Sequence, residues 1–158
     1  MVLIKAHALF ALLAGVALAN PVEITHEERA ADLKCTVDGK SVLISPAVRD
    51  WLYPLVPHPA TWKYPHEFMN LDGITWGNPR CNPAGGAQPK LLEFPIMLDA
   101  KGKAKKEVYN YKQAKPRPEP GACRIVTRKN GGDLCGVMCH KKYTTAKTKE
   151  DRFFAECK

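Results

Sequence analysis

The sequence predicts an α+β domain in which one short helix packs on a small twisted antiparallel β-sheet, with an N-terminal hairpin and long basic loops. Three observations support this fold class. Apolar stretches of strand length recur between turn residues. One stretch has its apolar residues at helical spacing. The 158 residues suffice for one domain with a modest core, and no repeat or linker divides them.

The first half of the chain carries the predicted hairpin and helix. Residues 35–44 are expected to form two short strands that turn at Asp38-Gly39, because this dipeptide favours a two-residue hairpin turn. Ser45-Pro46 is a favourable helix start. Residues 57–90 are rich in proline, glycine, asparagine and aromatic residues, which predicts loops with short strands. The apolar residues at helical spacing are Val48, Trp51, Leu52 and Leu55.

The second half of the chain carries most of the predicted sheet. Residues 129–132 (KNGG) have the composition of a hairpin turn between two strands. Residues 100–121 hold seven Lys/Arg and three prolines, which predicts a long basic loop with a short strand near residues 108–111. The predicted strands are residues 91–98, 124–127, 134–140 and 152–158.

The N-terminus has the pattern of a secretory signal peptide. Lys5 precedes an apolar stretch over residues 6–18, and Ala17-Leu18-Ala19 is typical of a cleavage site. We therefore expect residues 1–19 to be removed and the protein to be secreted (extracellular). A membrane anchor is the alternative, and the shortness of the apolar stretch argues against it.

The chain is basic, with 24 Lys+Arg against 16 Asp+Glu and a net charge of +8. Lys5 is the only charged residue of the predicted signal peptide, and residues 20–30 carry one arginine against three glutamates. Residues 20–30 are therefore an acidic leader, either a propeptide or a loose extension. The predicted domain, residues 31–158, carries a net charge of +9. This excess predicts an anionic partner.

Four ionisable residues lie where strands are expected to hold them: His66, Glu93, Arg124 and His140. Glu93 shares a strand face with Leu91 and Pro95, because alternate residues point to the same side. Each of the four alone is most simply a surface or structural residue. Together they supply a base, an acid and positive charge for phosphoryl oxygens, as cleavage of RNA through its own 2′-hydroxyl requires.

Other chemistries fit the sequence less well. No C-x2-C or H-x3-H spacing of the kind that binds zinc occurs, and Cys135, Cys139 and His140 fall on two faces of one strand. Six cysteines in a secreted chain predict disulfides rather than a nucleophilic thiol. We therefore expect chemistry without a metal ion or other cofactor.

Five segments, in this order, resemble the active-site strands of fungal extracellular guanyl-specific ribonucleases: YPHEFMNLDG, LLEFPI, PGACRIV, CGVMCH and FFAEC. They are most similar to the fungal ribotoxin family of the hirsutellin and α-sarcin type, from about residue 35 to residue 157. The basic stretch before Arg124 is also of ribotoxin type. The resemblance implies the microbial-ribonuclease fold and an endoribonuclease that cleaves the sarcin–ricin loop of large-subunit rRNA and so blocks translation.

The resemblance also implies roles for the four ionisable residues. Glu93 is the general base that takes the 2′-hydroxyl proton, and His140 is the general acid at the 5′-oxygen. The product is a 2′,3′-cyclic phosphate. His66 holds the phosphate or assists Glu93, and Arg124 stabilises the phosphoryl charge.

The implied substrate-binding residues are Tyr64, Phe68, Asn70, Asp72 and Phe154. Phe68 is expected to stack on a base, and Asp72 to accept from the N–H groups of a guanine edge. Met69 and Leu71 stand where the guanyl-specific enzymes have asparagine and tyrosine, so the base pocket departs from their pattern. The alternative is that Asp72-Gly73 is merely a turn.

The resemblance implies two disulfides, Cys35–Cys157 and Cys81–Cys135. Cys123 and Cys139 have no counterpart in the hirsutellin pattern, and each directly precedes a candidate site residue. On adjacent antiparallel strands both face away from the site, so we expect them to form a third, cross-strand disulfide. Each bond contributes about 2–4 kcal/mol.

The basic residues are expected to bind ribosomal RNA and the ribosome, because neutralised phosphates release counterions. Anionic membrane lipids are a second expected partner, and the protein is expected to be a monomer. Two alternatives remain: an ordinary secreted guanyl-preferring ribonuclease, and a non-cleaving ribonuclease-fold effector that binds host RNA or protein. The basic residues are Lys101, Lys103, Lys105, Lys106, Lys112, Lys115, Arg117, Arg128, Lys129, Lys141 and Lys142.

Overall fold

The computed structural model describes residues 31–56, 64–110, 119–130, 132–144, 147–148 and 153–158. In these ranges the chain forms one α-helix and seven strands, which confirms the α+β prediction. The elements are β1 (Leu33–Val37), β2 (Lys40–Ile44), α1 (Pro46–Leu52), β3 (His66–Phe68), β4 (Leu91–Ile96), β5 (Cys123–Arg128), β6 (Leu134–His140) and β7 (Phe154–Glu156). Two short 3-10 helices lie at Tyr53–Leu55 and Pro79–Cys81. No helix in the described part is long and apolar enough to cross a membrane.

The strands form two antiparallel sheets. β1 and β2 make a two-stranded sheet, and the other five strands make a sheet of order β3-β4-β5-β6-β7. The N-terminal hairpin turns at Asp38 (φ 49°) and Gly39 (φ 75°). Both φ values are positive, as a two-residue hairpin turn requires, and this explains the Asp-Gly dipeptide. Ser45 then caps α1 with an extended backbone, and Pro46 opens the helix.

The hydrophobic core lies on one face of the five-stranded sheet. Phe94 of β4, Ile125 of β5 and Val137 of β6 are buried there. Leu52 of α1 and Val56 pack in the same cluster, as the prediction of a helix on a sheet requires. Since strand residues alternate between faces, the neighbours of these core residues point to the opposite face. That face carries Glu93, as the sequence predicts.

A second, smaller cluster covers part of the opposite face. Trp76 is 2% exposed and packs with Leu91, Val126 and Met138. The indole lies directly on β6, because a Cβ added at Gly136 would be only 3.0 Å from its ring. The absence of a side chain at this position therefore lets the tryptophan approach the sheet.

Three details of the predicted elements are wrong. The last strand is shorter than residues 152–158, because β7 covers only Phe154–Glu156. β4 ends at Ile96 rather than at residue 98. Asp99 then closes a turn by accepting from the main-chain N–H groups of Lys101 (2.8 Å) and Lys103 (2.9 Å). The short strand expected near residues 108–111 is absent from the described residues 108–110, and residue 111 lies outside them. Tyr109 is instead buried in the main core.

The structure joins the six cysteines as Cys35–Cys157, Cys81–Cys135 and Cys123–Cys139. The first and third disulfides touch in the core, with Cys139 Sγ 3.5 Å from Cys157 Sγ. Three of these sulfur atoms lie close enough together to suggest a metal site. All of them are in disulfides, so they are not the thiolates that bind metals.

Candidate active site

Glu93 lies in the middle of β4, between β3 and β5, with a side chain that is 6% exposed. Its Oε1 is 3.0 Å from Nε2 of His66 and 4.0 Å from Nε of Arg124. Its Oε2 is buried and has no hydrogen-bond partner among the described residues.

His66 opens β3 directly opposite Glu93, and its side chain is 47% exposed. Nδ1–H donates to the main-chain carbonyl of Glu67 at 3.1 Å, while Nε2 faces Glu93. Because each ring nitrogen has an acceptor, the protonated imidazole is favoured. The hydrogen bond with Glu93 is the main cause that raises the pKa of His66 above 6.5, although partial burial opposes it. Tyr64 stacks on the imidazole at 4.5 Å between ring centroids.

Arg124 of β5 is 4% exposed, and main-chain oxygens fix its orientation. Its Nη1 donates to the carbonyls of Pro120 (3.1 Å), Gly121 (2.8 Å) and Cys123 (2.8 Å). Nη2 donates to the hydroxyl of Tyr64 at 3.4 Å. Nε is buried without a hydrogen-bond partner in the described part of the chain. The guanidinium is therefore held with its Nε edge toward Glu93.

His140 is the last residue of β6, and its ring contacts two aromatic side chains. Phe154 stacks on it at 3.8 Å between centroids, with 27° between the ring planes. Tyr143 also stacks on it, at 5.7 Å. Tyr143 is not among the residues predicted for the site, because a residue three positions after a strand residue is expected on the opposite face. The chain bends after His140 and brings the ring back.

The strand register places all four ionisable residues on one face of the sheet. His66 pairs with Glu93, Glu93 with Val126, and His140 with Phe154. Directly paired residues share a face, and residues two apart on a strand share it as well. Arg124 connects the two ends of the group, since its Cζ lies 5.4 Å from the Tyr64 ring and 5.8 Å from the Phe154 ring.

The model of the ribonuclease family matches residues 49–158. Ribonuclease clavin of Aspergillus clavatus is 30% identical over 174 aligned positions, which cover 90% of this chain and 94% of clavin. The chain belongs to the ribotoxin family of fungal ribonucleases. The resemblance seen in the sequence is thereby confirmed.

Solved ribotoxins share the fold. Restrictocin of Aspergillus superposes with a TM-score of 0.58 at 21% identity, over 80% of this chain and 99% of restrictocin. Hirsutellin A of Hirsutella thompsonii gives 0.57 at 22% identity, over 80% and 98%. Restrictocin has also been solved in complex with a 29-mer sarcin/ricin domain RNA analog, and that structure gives 0.57 at 19% identity, over 80% and 99%.

The end of β3 and the loop after it carry the residues that the ribotoxin resemblance assigns to the base. The side chain of Asn70 makes two hydrogen bonds with the main chain of Ile74. Its amide NH2 donates to the carbonyl of Ile74 (2.8 Å), and its amide oxygen accepts from the N–H of Ile74 (2.9 Å). Asp72 Oδ2 accepts from the N–H of Phe154 at 3.0 Å. Phe68 makes edge contacts with Trp76 and Phe154. The polar groups of this loop are thus engaged within the protein.

The predicted basic residues divide into three groups. Some pair with carboxylates: Lys105 with Glu107 (2.6 Å), Arg128 with Asp133 (2.9 Å) and Lys129 with Glu67 (3.0 Å). Lys112, Lys115 and Arg117 lie outside the described residues. Lys101, Lys103, Lys106, Lys141 and Lys142 are exposed. Lys141 and Lys142 directly follow His140, so positive charge borders that end of the site.

Proposed function

We propose that this member of the family is a secreted ribotoxin: a metal-free endoribonuclease that cleaves the sarcin–ricin loop of large-subunit rRNA and so blocks translation. The observation that carries the proposal is the buried Glu93 carboxylate, which contacts His66 and Arg124 on the sheet face that also carries His140. The restrictocin complex with a sarcin/ricin RNA analog supports the choice of substrate.

The first chemical step breaks the RNA chain through its own ribose. Glu93 takes the proton from the 2′-hydroxyl, and the 2′-oxygen attacks the adjacent phosphorus. The bond from phosphorus to the 5′-oxygen breaks, and His140 donates its proton to that oxygen. The products are a 2′,3′-cyclic phosphate and a free 5′-hydroxyl. Water then opens the cyclic phosphate with the two roles reversed.

Two buried polar atoms support this reaction. Oε2 of Glu93 and Nε of Arg124 have no hydrogen-bond partner among the described residues. Buried polar groups in proteins are normally hydrogen-bonded. An unsatisfied acceptor and an unsatisfied donor on two side chains that approach to 4.0 Å suit a ligand that brings a partner for each. A ribose 2′-hydroxyl donates to the carboxylate, and a phosphoryl oxygen accepts from the guanidinium. The arginine then stabilises the charge that develops on phosphorus.

His66 assists at the solvent side of this pair. Its raised pKa keeps the imidazole charged at higher pH than an ordinary histidine. The charged ring donates a hydrogen bond to Oε1 of Glu93 and attracts the substrate phosphate. Since His66 is far more exposed than Glu93 or Arg124, the RNA backbone approaches from its side.

Secretion and docking complete the proposal. Residues 1–19 direct the chain out of the producing cell, and the protein acts as a monomer in the cytosol of the target cell. The exposed lysines bind phosphates of the ribosomal RNA and promote adhesion to anionic membrane lipids. Affinity for the ribosome therefore falls steeply as salt increases.

Intact ribosomes test the substrate. The oxidised mature protein is incubated with them, and the ribosomal RNA is separated by size. The expected result is one small fragment from the 3′ end of the large-subunit RNA. General degradation indicates the ordinary guanyl-preferring ribonuclease, and unchanged RNA indicates the non-cleaving effector. The matched control is the E93Q/H140Q double variant, purified in the same way, which shows whether a contaminating ribonuclease is present.

The ends of the fragments test the mechanism. Mass spectrometry of the new 3′ end is expected to show a 2′,3′-cyclic phosphate, and the rate is expected to be the same with and without a metal chelator. A 3′-hydroxyl end, or activity that chelation removes and added Mg²⁺ restores, would sink the metal-free cyclising mechanism.

A further inference from the structure

β7 is a three-residue strand at the edge of the five-stranded sheet, and it carries the ring that packs on His140. An edge strand presents main-chain N–H groups that no neighbouring strand satisfies. In the ladder between β6 and β7, Lys141 N–H donates to the carbonyl of Phe153 at 3.3 Å. The N–H of Phe154 does not point to β6 and needs another acceptor.

Asp72 supplies that acceptor from a distant part of the chain. Its Oδ2 accepts from the N–H of Phe154 at 3.0 Å, although the two residues are 82 positions apart. The other end of β7 is held differently. Cys157 is bonded to Cys35, and Lys158 exchanges two main-chain hydrogen bonds with Lys34 (2.7 and 3.1 Å). Asp72 is therefore the side-chain anchor at the start of β7.

A short chain of contacts leads from Asp72 to His140. Phe154, whose N–H is held, pairs with His140 in the strand register and stacks on its imidazole at 3.8 Å. The same ring contacts Phe68 at 6.1 Å, which limits its movement on the other side. A shift of the Phe154 backbone displaces the ring, and the ring lies directly against the imidazole.

We propose that Asp72 is a positioning residue for His140, acting through the main-chain N–H and the ring of Phe154, rather than only an acceptor for a guanine base. This role rests on the proposed function, in which His140 protonates the 5′-oxygen. A general acid must lie within hydrogen-bond reach of that oxygen, so a small misplacement lowers the rate of the chemical step.

Two substitutions separate positioning from base recognition. Asp72→Ala removes the acceptor, whereas Asp72→Asn keeps an oxygen that can accept from one N–H. Positioning needs only this one acceptor. Recognition of the two N–H groups on a guanine edge needs the carboxylate. A matched control is Asp99→Ala, which removes the same charge and an acceptor of two main-chain N–H groups in the turn after β4.

The experiment uses the full mature protein and two readouts. One is the proton resonance of the His140 imidazole, which is sensitive to the position of the Phe154 ring. It is assigned by its absence from the spectrum of His140→Gln. The other is steady-state cleavage of short RNA substrates with guanine or adenine before the scissile phosphate. For Asp72→Ala we expect a moved resonance and a kcat lowered about 10- to 100-fold, with KM little changed. For Asp72→Asn we expect an unmoved resonance and a kcat that falls much less than in Asp72→Ala, and for Asp99→Ala we expect wild-type values.

The outcomes are distinguishable. The proposal is overturned in favour of base recognition when Asp72→Asn loses as much activity as Asp72→Ala. In that case the loss falls mainly on guanine substrates, and the His140 resonance does not move. An Asp72→Ala variant with wild-type resonance and kcat also overturns it. When Asp72→Ala does not fold, Asp72→Asn decides by itself, since loss of its activity contradicts positioning. When the wild-type protein cleaves no RNA, the proposed function fails, and the His140 resonance still decides the structural role of Asp72.

Discussion

Glu93 and His66 at one end of the site are held by charge, whereas His140 and Phe154 at the other end are held by stacked rings. The first pair shares a 3.0 Å contact between opposite charges on adjacent strands. In the second pair, the ring centroids are 3.8 Å apart at the end of β6. Arg124 lies between the two pairs. We call them the Glu93 end and the His140 end.

The difference follows from position in the sheet. β4, which carries Glu93, has a strand on both sides, so its neighbours supply partners directly. His140 lies at the end of its strand and beside an edge strand, and its surroundings depend on distant anchors. One is Asp72. Another is Asp38 in the hairpin turn, whose carboxylate accepts from the N–H groups of Tyr143 and Thr144, each at 2.9 Å. The His140 end therefore depends on long-range contacts for its geometry.

The largest expected effect is the loss of RNA cleavage when the base at the Glu93 end or the acid at the His140 end is replaced. Glu93→Gln and His140→Gln are each expected to lower the rate of RNA cleavage by about 10²–10⁴-fold or more, because each removes one proton-transfer group. A nucleoside 3′-aryl phosphate has a leaving group that departs without a proton. On this substrate His140→Gln is expected to regain most of its activity, and Glu93→Gln is expected to stay inactive.

Circular dichroism of both variants serves as the control for folding. Equal activity of the two variants on the aryl substrate would contradict the assignment of base and acid to opposite ends. Recovery of Glu93→Gln alone would reverse the two roles.

Much of the Glu93 end was predictable because its signals are local. The strand pattern of residues 91–98 puts Glu93 among apolar neighbours, and such a residue is either exposed or paired. In the structure, Glu93 is buried and paired with His66. The pattern does not predict the contact with His66. A strand of three residues such as β3 is too short for its alternation of polar and apolar residues to define the register with β4.

The His140 end was predictable only in part. The sequence indicates that His140 ends a strand, and the resemblance places Phe154 among the substrate-binding residues. The ring of Tyr143 depends on a bend that no strand or turn signal predicts, and the bend is held by Asp38, more than 100 positions earlier. The contact of Asp72 with Phe154 spans 82 positions. Long-range contacts between a side chain and a main-chain N–H leave no periodic pattern in a sequence.

The Cys123–Cys139 disulfide ties β5, which carries Arg124, to β6, which carries His140, on the core side of the sheet. Cys123 and Cys139 are directly paired on β5 and β6, and each precedes a site residue. Replacing both with alanine is expected to lower the free energy of unfolding by about 3 kcal/mol, because the closed loop spans 16 positions. Chemical denaturation measures this change. A midpoint equal to that of the wild type would show that packing alone holds the two strands.

A smaller effect is expected when the ring contact at the His140 end is removed. Phe154→Leu keeps an apolar side chain but loses the stack on the imidazole. Such aromatic contacts contribute about 0.5–1.5 kcal/mol, so kcat is expected to fall by up to about tenfold. The His140 proton resonance is expected to move, while the pKa of His66 stays unchanged. A changed His66 pKa in this variant would show that the two ends are coupled through Arg124.

The smallest expected effect is on the pKa of His66, which titration by NMR measures directly. Its pKa is expected above 6.5 in the wild type, because the hydrogen bond with Glu93 favours the charged imidazole, and Glu93→Gln is expected to lower it. A raised pKa in the folded state stabilises the fold at pH values below 6.5, and this contribution is lost as pH rises through the folded pKa. The stability of Glu93→Gln should therefore depend less on pH in that window, and His66→Gln should show the same flattening. A His66 pKa at or below 6.5, or one that Glu93→Gln leaves unchanged, would show that charge does not hold the Glu93 end together.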